Sequence, residues 1–265
     1  MQISLLNFSS SCWFLGESLI NSLMMFSFSF MEEKLAQSLL KKTKKDFDLL
    51  AEKYALSRPF PQEDVKRLID LCQKGEKILD AGCGHGYLYP AFKEKQVQYY
   101  GVDFSEKLIK IAQKNFPEGN FFVANILNLP FSDNFFDKVF SISVLHHIPS
   151  EKFRIRFFEE LKRVLKPKGK LILRVWNLWE SFEGKTLVLK FAFLKIFKKS
   201  KLDLFDVMVP WKDQEGKVLA WRYVHCFFKK EIERLAKKTS FRIEKLWKEG
   251  KGKRANIYLV AEKTG

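Results

Sequence analysis

Basic residues are absent from the first 30 positions, although the 265-residue chain carries 47 Lys and Arg against 31 Asp and Glu. A secretory signal begins with a basic segment, so these positions do not predict one. The chain also lacks any run of 18 apolar residues, which argues against a transmembrane segment. A charged sequence begins at Met31. We therefore expect residues 1–30 to be a non-native or disordered extension, which mass spectrometry of the native N-terminus would test.

Cysteine is scarce, with four residues at positions 12, 72, 83 and 226. Neither their spacing nor that of the four histidines follows a disulfide framework or a zinc-ligand pattern, so we expect no metal site. This usage indicates a reduced, cytoplasmic protein. The hydrophobic content of 46% is sufficient for one core.

The net charge of +16 is the strongest feature of the composition. It predicts a polyanionic partner, either nucleic acid or an anionic membrane surface. A lysine-rich background composition would produce the same excess without functional meaning.

Three glycines, Gly82, Gly84 and Gly86, follow a short apolar strand that ends at Asp80. Glycine lets the backbone turn sharply and approach a ligand closely, and the N-terminus of the next helix favours an anionic group. Tyr87 stands where a dinucleotide fingerprint would place its third glycine. The pattern therefore indicates either a different ligand turn or a tight strand-to-helix turn without a ligand.

A second short strand ends at Asp103, 21 residues after Gly82. A carboxylate at this position can accept two hydrogen bonds from a ribose diol. Asp103 or Ser105 would also cap the following helix well. The two roles are compatible.

Strands and helices alternate from residue 75 to 176, and two further strands follow near residues 242–249 and 256–263. This order predicts an α/β fold: a Rossmann-like, seven-stranded, mostly parallel sheet with helices on both faces and an antiparallel edge strand. Ligands of such sheets bind at the carboxyl ends of the strands.

The segments LPFSDNFFDKVFSISVLHHI and LKRVLKPKGKLIL, together with the glycine turn, resemble class I S-adenosylmethionine (SAM) methyltransferases of the methyltransferase type 11 group. The resemblance implies SAM as cofactor. Position 125 is usually Asp in that group; Asn125 keeps an acceptor oxygen for the adenine amino group but has no charge. The cofactor-binding residues implied by the resemblance are Asp80, Gly82, Cys83, Gly84, Gly86, Asp103, Phe104, Asn125, Ile126 and Ser143.

Further segments resemble the tRNA wobble-uridine methyltransferases: FDLLAEKYALSRPFP, VWNLWES, VPW, and the spacing of Arg222-Tyr223-x-His225 before Phe227 and Glu231. That family methylates the carboxylate of 5-carboxymethyluridine. Our candidate catalytic residues are His146, Arg222 and His225, and our candidate substrate-binding residues are Arg58, His147, Trp211 and Tyr223. The alternative is that the aromatic residues belong to the core and that Arg222 and His225 cap internal groups.

The chemistry depends on which atom is methylated. A carboxylate is ionised at pH 7 and needs no base, only a cation such as Arg222 to hold it. A hydroxyl or ring nitrogen would need a histidine as base. Arg222 and His225 are three residues apart, so a helix would place them on one face and a strand on opposite faces.

The predicted organisation has five parts: the extension 1–30, a helical lid 31–74, a SAM-binding core 75–176, a substrate-side insertion 177–228, and a closing helix and hairpin 229–265. Residues 185–201 combine apolar residues with lysines. This pattern fits a lid helix packed on the core, a helix that grips a tRNA backbone, or a helix on a membrane surface.

The sequence thus predicts a SAM-dependent methyltransferase of a tRNA wobble uridine, with tRNA and a small activating subunit as partners. The alternative is a membrane-surface methyltransferase of a quinone or lipid precursor. A third possibility is a subunit with this fold that binds without catalysing a reaction.

Overall fold

The computed structural model describes residues 31–264 except positions 198 and 214, so the predicted extension 1–30 lies outside the described residues. Residues 31–265 form one compact unit. The strands are β1 Lys77–Ala81, β2 Gln98–Asp103, β3 Asn120–Val123, β4 Phe136–Ile142, β5 Leu165–Trp176, β6 Asp206–Lys212, β7 Val218–His225, β8 Phe241–Glu249 and β9 Asn256–Lys263. The helices are α1 Glu33–Leu49, α2 Ala51–Leu56, α3 Glu63–Ile69, α4 Tyr89–Glu94, α5 Glu106–Asn115, α6 Glu151–Val164, α7 Phe182–Ile196 and α8 Lys229–Lys238.

Seven strands form one sheet in the order β3-β2-β1-β4-β5-β9-β8. The five strands from β3 to β5 are parallel, and β9 runs antiparallel to both β5 and β8. This arrangement confirms the predicted mostly parallel sheet with antiparallel pairing at one edge. The chain order reverses between β1 and β4, which opens a crevice at their carboxyl ends.

The sheet has a hydrophobic core on each face. Because successive side chains of a strand point to opposite faces, one strand contributes to both cores. In β1, Leu79 and Ala81 join one core and Ile78 joins the other. The first core also takes in the apolar sides of α6 and α8, and the second takes in those of α3, α4 and α5. A strand that is covered on both faces needs apolar side chains on both of its sides.

The segment between β5 and α8 forms a separate two-stranded sheet, in which β6 and β7 pair antiparallel. Helix α7 precedes this hairpin and packs against β6. In the part of the chain that the structure describes, no helix has both the length and the apolar character to cross a membrane.

Candidate active site

The three glycines of the turn after β1 have different surroundings. A Cβ on Gly82 would lie 2.2 Å from Cγ2 of Val144, and one on Gly86 would lie 2.9 Å from the ring of Phe121. Gly84 has a φ of +58° and faces the ring of Tyr54, 3.5 Å from where its Cβ would be. Gly82 and Gly86 are therefore needed for close internal packing, and Gly84 lines the side of the turn that faces the lid.

Asp103 joins the end of β2 to the glycine turn. Its Oδ2 accepts a hydrogen bond of 3.0 Å from the Gly84 N–H, and its Oδ1 accepts one of 2.9 Å from the Ser105 N–H. Burial raises the pKa of the Asp103 carboxyl to about 6, against the opposing effect of these two donors. Each carboxylate oxygen keeps a lone pair that a ribose hydroxyl can use.

Asp80 is the second buried carboxyl at this turn. The Tyr99 hydroxyl donates a 3.0 Å hydrogen bond to its Oδ2, while Oδ1 is buried without a partner among the described residues. Burial raises the pKa of Asp80 to about 7, with a smaller contribution from the charge of Asp103. A cationic ligand at the turn would therefore be favoured, because it would stabilise the ionised form.

The loop after β3 carries the predicted adenine contacts. Asn125 is exposed, and its Oδ1 accepts a 3.0 Å hydrogen bond from the Leu127 N–H. The second lone pair of this oxygen can still accept from an amino group. Ile126 is half-buried beside the main core.

Two further predicted cofactor residues follow β2 and β4. The Phe104 ring lies 5.9 Å from the Phe47 ring of α1, which covers this side of the crevice. Ser143 has a φ of +64°, and its N–H donates a 2.8 Å hydrogen bond to the Arg174 carbonyl. Cys83 is fully buried, and its N–H donates to the Val102 carbonyl, so its side chain belongs to the core.

These residues fit SAM, which carries a ribose diol, an adenine and two cationic groups. Asp103 offers acceptor lone pairs to a diol, Asn125 offers one to an amino group, and Asp80 offers an unpartnered carboxyl oxygen near the glycine turn.

The hairpin places an arginine over the crevice, and no carboxylate of the described residues pairs with it. The Arg222 guanidinium carbon lies 4.5 Å from the Trp211 ring centre and 5.3 Å from the Trp176 ring centre. Its Nε is buried and has no hydrogen-bond partner among the described residues. Burial and the nearby charge of Arg58 lower the pKa of Arg222 to about 10.

Arg58 comes from the segment that follows α2. Its guanidinium carbon lies 4.4 Å from the centre of the Tyr54 ring. No ion pair joins Arg58 or Arg222 to a carboxylate within the residues that the structure describes. The charge of Arg58 thus disfavours the charged form of Arg222, and an anion bound between the two cations would stabilise it.

His146 and His147 follow β4 and lie beneath these arginines. The His146 ring stacks on Trp176 with centroids 4.3 Å apart, and its Nε2 is buried without a partner in the described structure. The His147 Nδ1–H donates a 2.9 Å hydrogen bond to the Tyr223 carbonyl. Burial lowers the pKa of His147 to about 3 and lowers that of His146 well below its usual value, and Arg222 contributes to both. Both rings are therefore neutral at pH 7.

The structure separates His225 and Tyr223 from Arg222. The Asp206 Oδ1 accepts hydrogen bonds of 2.7 Å from both the Tyr223 hydroxyl and the His225 Nδ1–H. The His225 Nε2–H donates 3.0 Å bonds to Glu231. Because the segment is a strand, Arg222 faces the crevice and its two predicted partners face inward. Their polar groups are satisfied internally, so we assign both residues to holding the hairpin rather than to catalysis or substrate contact.

The predicted sets omit three aromatic residues that line the crevice: Phe47, Tyr54 and Trp176. The Trp211 ring lies 5.6 Å from the Phe47 ring and 5.7 Å from the Tyr54 ring. Trp176 is the last residue of β5, and this position at the carboxyl end of a central strand is a signal that could have identified it.

A cavity of about 690 Å³ opens at the opposite edge of the sheet, where β1, β4 and β5 begin. Its lysines Lys138, Lys166 and Lys170 are ion-paired with Glu76, Asp137 and Glu244. Arg58 and Arg222, for which the described residues provide no carboxylate, lie at the carboxyl edge together with Asp80 and Asp103, so we place the candidate active site there.

Comparison with known proteins agrees with this geometry. Residues 79–173 match the family model described as methyltransferase domain. This part of the chain is thus similar to a methyltransferase domain. It is 35% identical over 130 residues to a tRNA (carboxymethyluridine(34)-5-O)-methyltransferase of Arabidopsis thaliana, a match that spans 49% of this chain and 31% of the plant protein. It is 36% identical over 145 residues to a demethylmenaquinone methyltransferase of Thermotoga maritima, spanning 50% of this chain and 62% of that protein.

Solved structures share the fold of this methyltransferase domain. A SAM-dependent methyltransferase of Methanosarcina mazei superposes with a TM-score of 0.65 at 23% identity, over 77% of this chain and 99% of the other. A Burkholderia thailandensis N-methyltransferase with bound S-adenosylhomocysteine gives a TM-score of 0.62 at 14% identity, over 90% and 93%. A Haloferax volcanii methyltransferase, solved in complex with the Trm112 methyltransferase activator, gives 0.56 at 16% identity, over 83% and 98%.

Proposed function

We propose that this protein is a SAM-dependent methyltransferase that methylates the carboxylate of a carboxymethyl group on the wobble uridine of tRNA. The observation that carries the proposal is Arg222, which is held between Trp176 and Trp211 with a buried Nε that has no partner in the described structure. A planar guanidinium fits a carboxylate in fork geometry. Arg58 supplies a second cation on the same side of the crevice.

The histidines support a substrate that is already an anion. A general base works best when its pKa is near the working pH. The pKa of His147 is about 3 and that of His146 is well below its usual value, so neither ring is a ready proton acceptor. A carboxylate nucleophile needs no base. SAM, when bound, supplies a methyl group made electrophilic by the sulfonium. The protein's contribution is then to hold and orient the carboxylate and to exclude water.

The aromatic residues around Arg222 support a base as the neighbouring part of the substrate. Trp211 and Trp176 are half-buried, so part of each ring faces the crevice. Proteins bind unpaired nucleobases by stacking them on such rings. The similarity to the plant tRNA methyltransferase supports the wobble uridine as the source of this base.

We propose tRNA and a small activating subunit as partners. The net charge of +16 favours a polyanion such as tRNA. The edge strand β3 exposes Phe122 and Val123, with 41% and 49% of their surface accessible, and offers unpaired backbone groups to an added strand. The activator seen with the Haloferax volcanii methyltransferase supports a subunit of this kind.

Buried free Cys72, Cys83 and Cys226 support a cytoplasmic location.

A second candidate function is methylation of a quinone or lipid precursor at a membrane surface. It is favoured by the similarity to the Thermotoga maritima demethylmenaquinone methyltransferase, of which 62% is matched. The two candidate substrates differ in charge: a quinone nucleus has no carboxylate for Arg222 to bind.

The decisive experiment compares strains that carry different forms of the gene, so that any native partner subunit is present. A deletion strain is expected to accumulate carboxymethyl uridine in its tRNA and to lack the methyl ester, as measured by nucleoside mass spectrometry. The wild-type gene should restore the ester. Unchanged tRNA nucleosides together with a changed quinone or lipid pool would establish the second candidate instead.

The test of Arg222 uses Arg222→Lys, which keeps the charge but loses the planar fork. We expect its kcat/KM to fall by more than about tenfold, while SAM affinity and melting temperature stay near wild type. Arg242→Lys is the matched control, because Arg242 is exposed at the sheet edge and pairs with Glu262. A destabilised Arg222→Lys protein with normal activity per folded molecule would remove Arg222 from the active site.

A further inference from the structure

Helix α7 packs against the rest of the protein with a narrow strip of small residues. Gly184, Val188 and Ala192 are its buried positions, spaced four apart. Residues at this spacing share one face of a helix, and small side chains let that face lie close to β6. Leu187, Phe191 and Leu194 are half-buried, so the helix is docked with only part of its large apolar side chains.

A second side of α7, about 130° around the helix from this strip, is also mostly apolar, with Thr186 among its residues, and it faces solvent. At 100° per residue, the positions that share this side lie within a stripe about 100° wide. The stripe also includes the residue directly after the helix. Its members and their exposed fractions are Phe182 75%, Leu189 57%, Phe193 59%, Ile196 54% and Phe197 56%. We call these five residues the α7 stripe. A patch of large apolar residues running along a whole helix marks an interaction surface.

Lysines border the α7 stripe on both sides. On the helical wheel, Lys185 falls beside Ile196 at one edge, and Lys190 falls beside Phe197 at the other. Glu183, the one acid of the helix, pairs with Lys253 at 2.9 Å. Lysines thus border the apolar stripe, and the one acid near it is paired with a lysine.

We propose that the α7 stripe docks this protein on an anionic membrane surface. A helix of this kind lies in the plane of the interface, with its apolar side in the acyl boundary and its lysines against lipid phosphates. The charge pattern favours lipid over another protein surface, because cations border the stripe on both edges and match a uniformly anionic plane. Leu189 and Ile196 favour it over RNA, because bases stack on aromatic rings rather than on aliphatic chains. The proposal does not depend on the tRNA substrate.

The test is sedimentation of the full chain with vesicles of phosphatidylglycerol and phosphatidylcholine, compared with vesicles of phosphatidylcholine alone. We expect binding to the anionic vesicles and a partition coefficient at least about tenfold lower for Leu189→Ser/Phe193→Ser. The matched control is Leu49→Ser/Phe60→Ser, which removes a Leu and a Phe that are 65% and 79% exposed elsewhere. The control should bind like wild type. Thermal melts of all three proteins establish that the variants are folded.

Three outcomes would overturn the proposal. The first is equal vesicle binding by the wild type and the α7 variant, and the second is binding by neither. The third is a loss of self-association or of tRNA affinity in the α7 variant without any vesicle binding, which would assign the stripe to a second copy of the chain or to RNA. All three proteins contain residues 1–30, so any vesicle binding by that segment contributes equally to each measurement.

Discussion

Asp103 shows how one side chain serves both the fold and a ligand. Its two oxygens accept the N–H groups of Gly84 and Ser105, which ties the glycine turn to the start of α5. Of the two candidate caps of α5, the structure uses Ser105, whose Oγ accepts a 3.2 Å hydrogen bond from the Leu108 N–H. Asp103 therefore positions the cap residue, and its ribose contact stays a prediction.

We expect Asp103→Ala to weaken SAM binding by about 1.5–3 kcal/mol, the scale of a hydrogen bond to a charged group. The wild-type affinity should also decrease as the pH falls through about 6, because the carboxyl then becomes protonated. Isothermal titration calorimetry measures both effects. Asp137→Ala is the control, because Asp137 binds Lys166 and the Lys77 N–H at the opposite edge of the sheet. Equal SAM affinity of folded Asp103→Ala and wild type would refute the ribose contact.

The β6–β7 hairpin is the element that brings Arg222 to the crevice, and a buried charge network anchors it. Asp206 and Glu231 both accept hydrogen bonds from His225, which requires a proton on each ring nitrogen. Burial and Arg154 lower the pKa of His225, but Glu231 and Asp206 raise it by more, so the net pKa lies above the usual 6.5. The charged form of His225 is therefore the one that stabilises the hairpin.

We expect His225→Gln to lower the free energy of unfolding by about 3–5 kcal/mol near pH 6, the cost of breaking a buried ion pair. The stabilisation by His225 is fully present below pH 6.5, the pKa of the unfolded chain, and is lost as the pH rises through the folded-state value. The difference between wild type and variant should thus shrink at alkaline pH in urea melts. A catalytic His225 would instead give normal stability with lost activity.

The net charge of +16 belongs to the whole molecule, and we expect it to affect the binding of tRNA more than the binding of SAM. We expect SAM to bind in a small crevice, where a few hydrogen bonds would determine its affinity. A tRNA backbone instead binds through many lysines and arginines, and each phosphate contact releases counterions.

We expect tRNA affinity to fall by at least about tenfold between about 50 and 200 mM salt, because several phosphate contacts are lost together. SAM affinity should change by less than about twofold over the same range, since its contacts are few and buried. Filter binding and calorimetry measure the two quantities on the same preparation. A tRNA affinity that is independent of salt would count against a nucleic-acid substrate.

The sequence by itself determined the sheet and the position of its ligand edge. Alternating apolar strands and amphipathic helices, with turn residues between them, are local patterns, and a parallel sheet follows from their order. Asp80 and Asp103 could be identified for the same reason, because each stands near the carboxyl end of a short apolar strand that the pattern predicts.

The tertiary structure alone decided which polar residues of the insertion face the crevice. Arg222, Tyr223 and His225 are close in sequence. Because their segment is a strand, alternate side chains point to opposite sides, and Arg222 is separated from the other two. Only the folded chain brings Asp206 and Glu231 to His225, over 19 and 6 residues of sequence. Only the folded chain places Trp176 and Trp211 around Arg222, which has no carboxylate partner in the described part of the chain. These contacts join distant segments, and no local pattern encodes which partner a buried charge will meet.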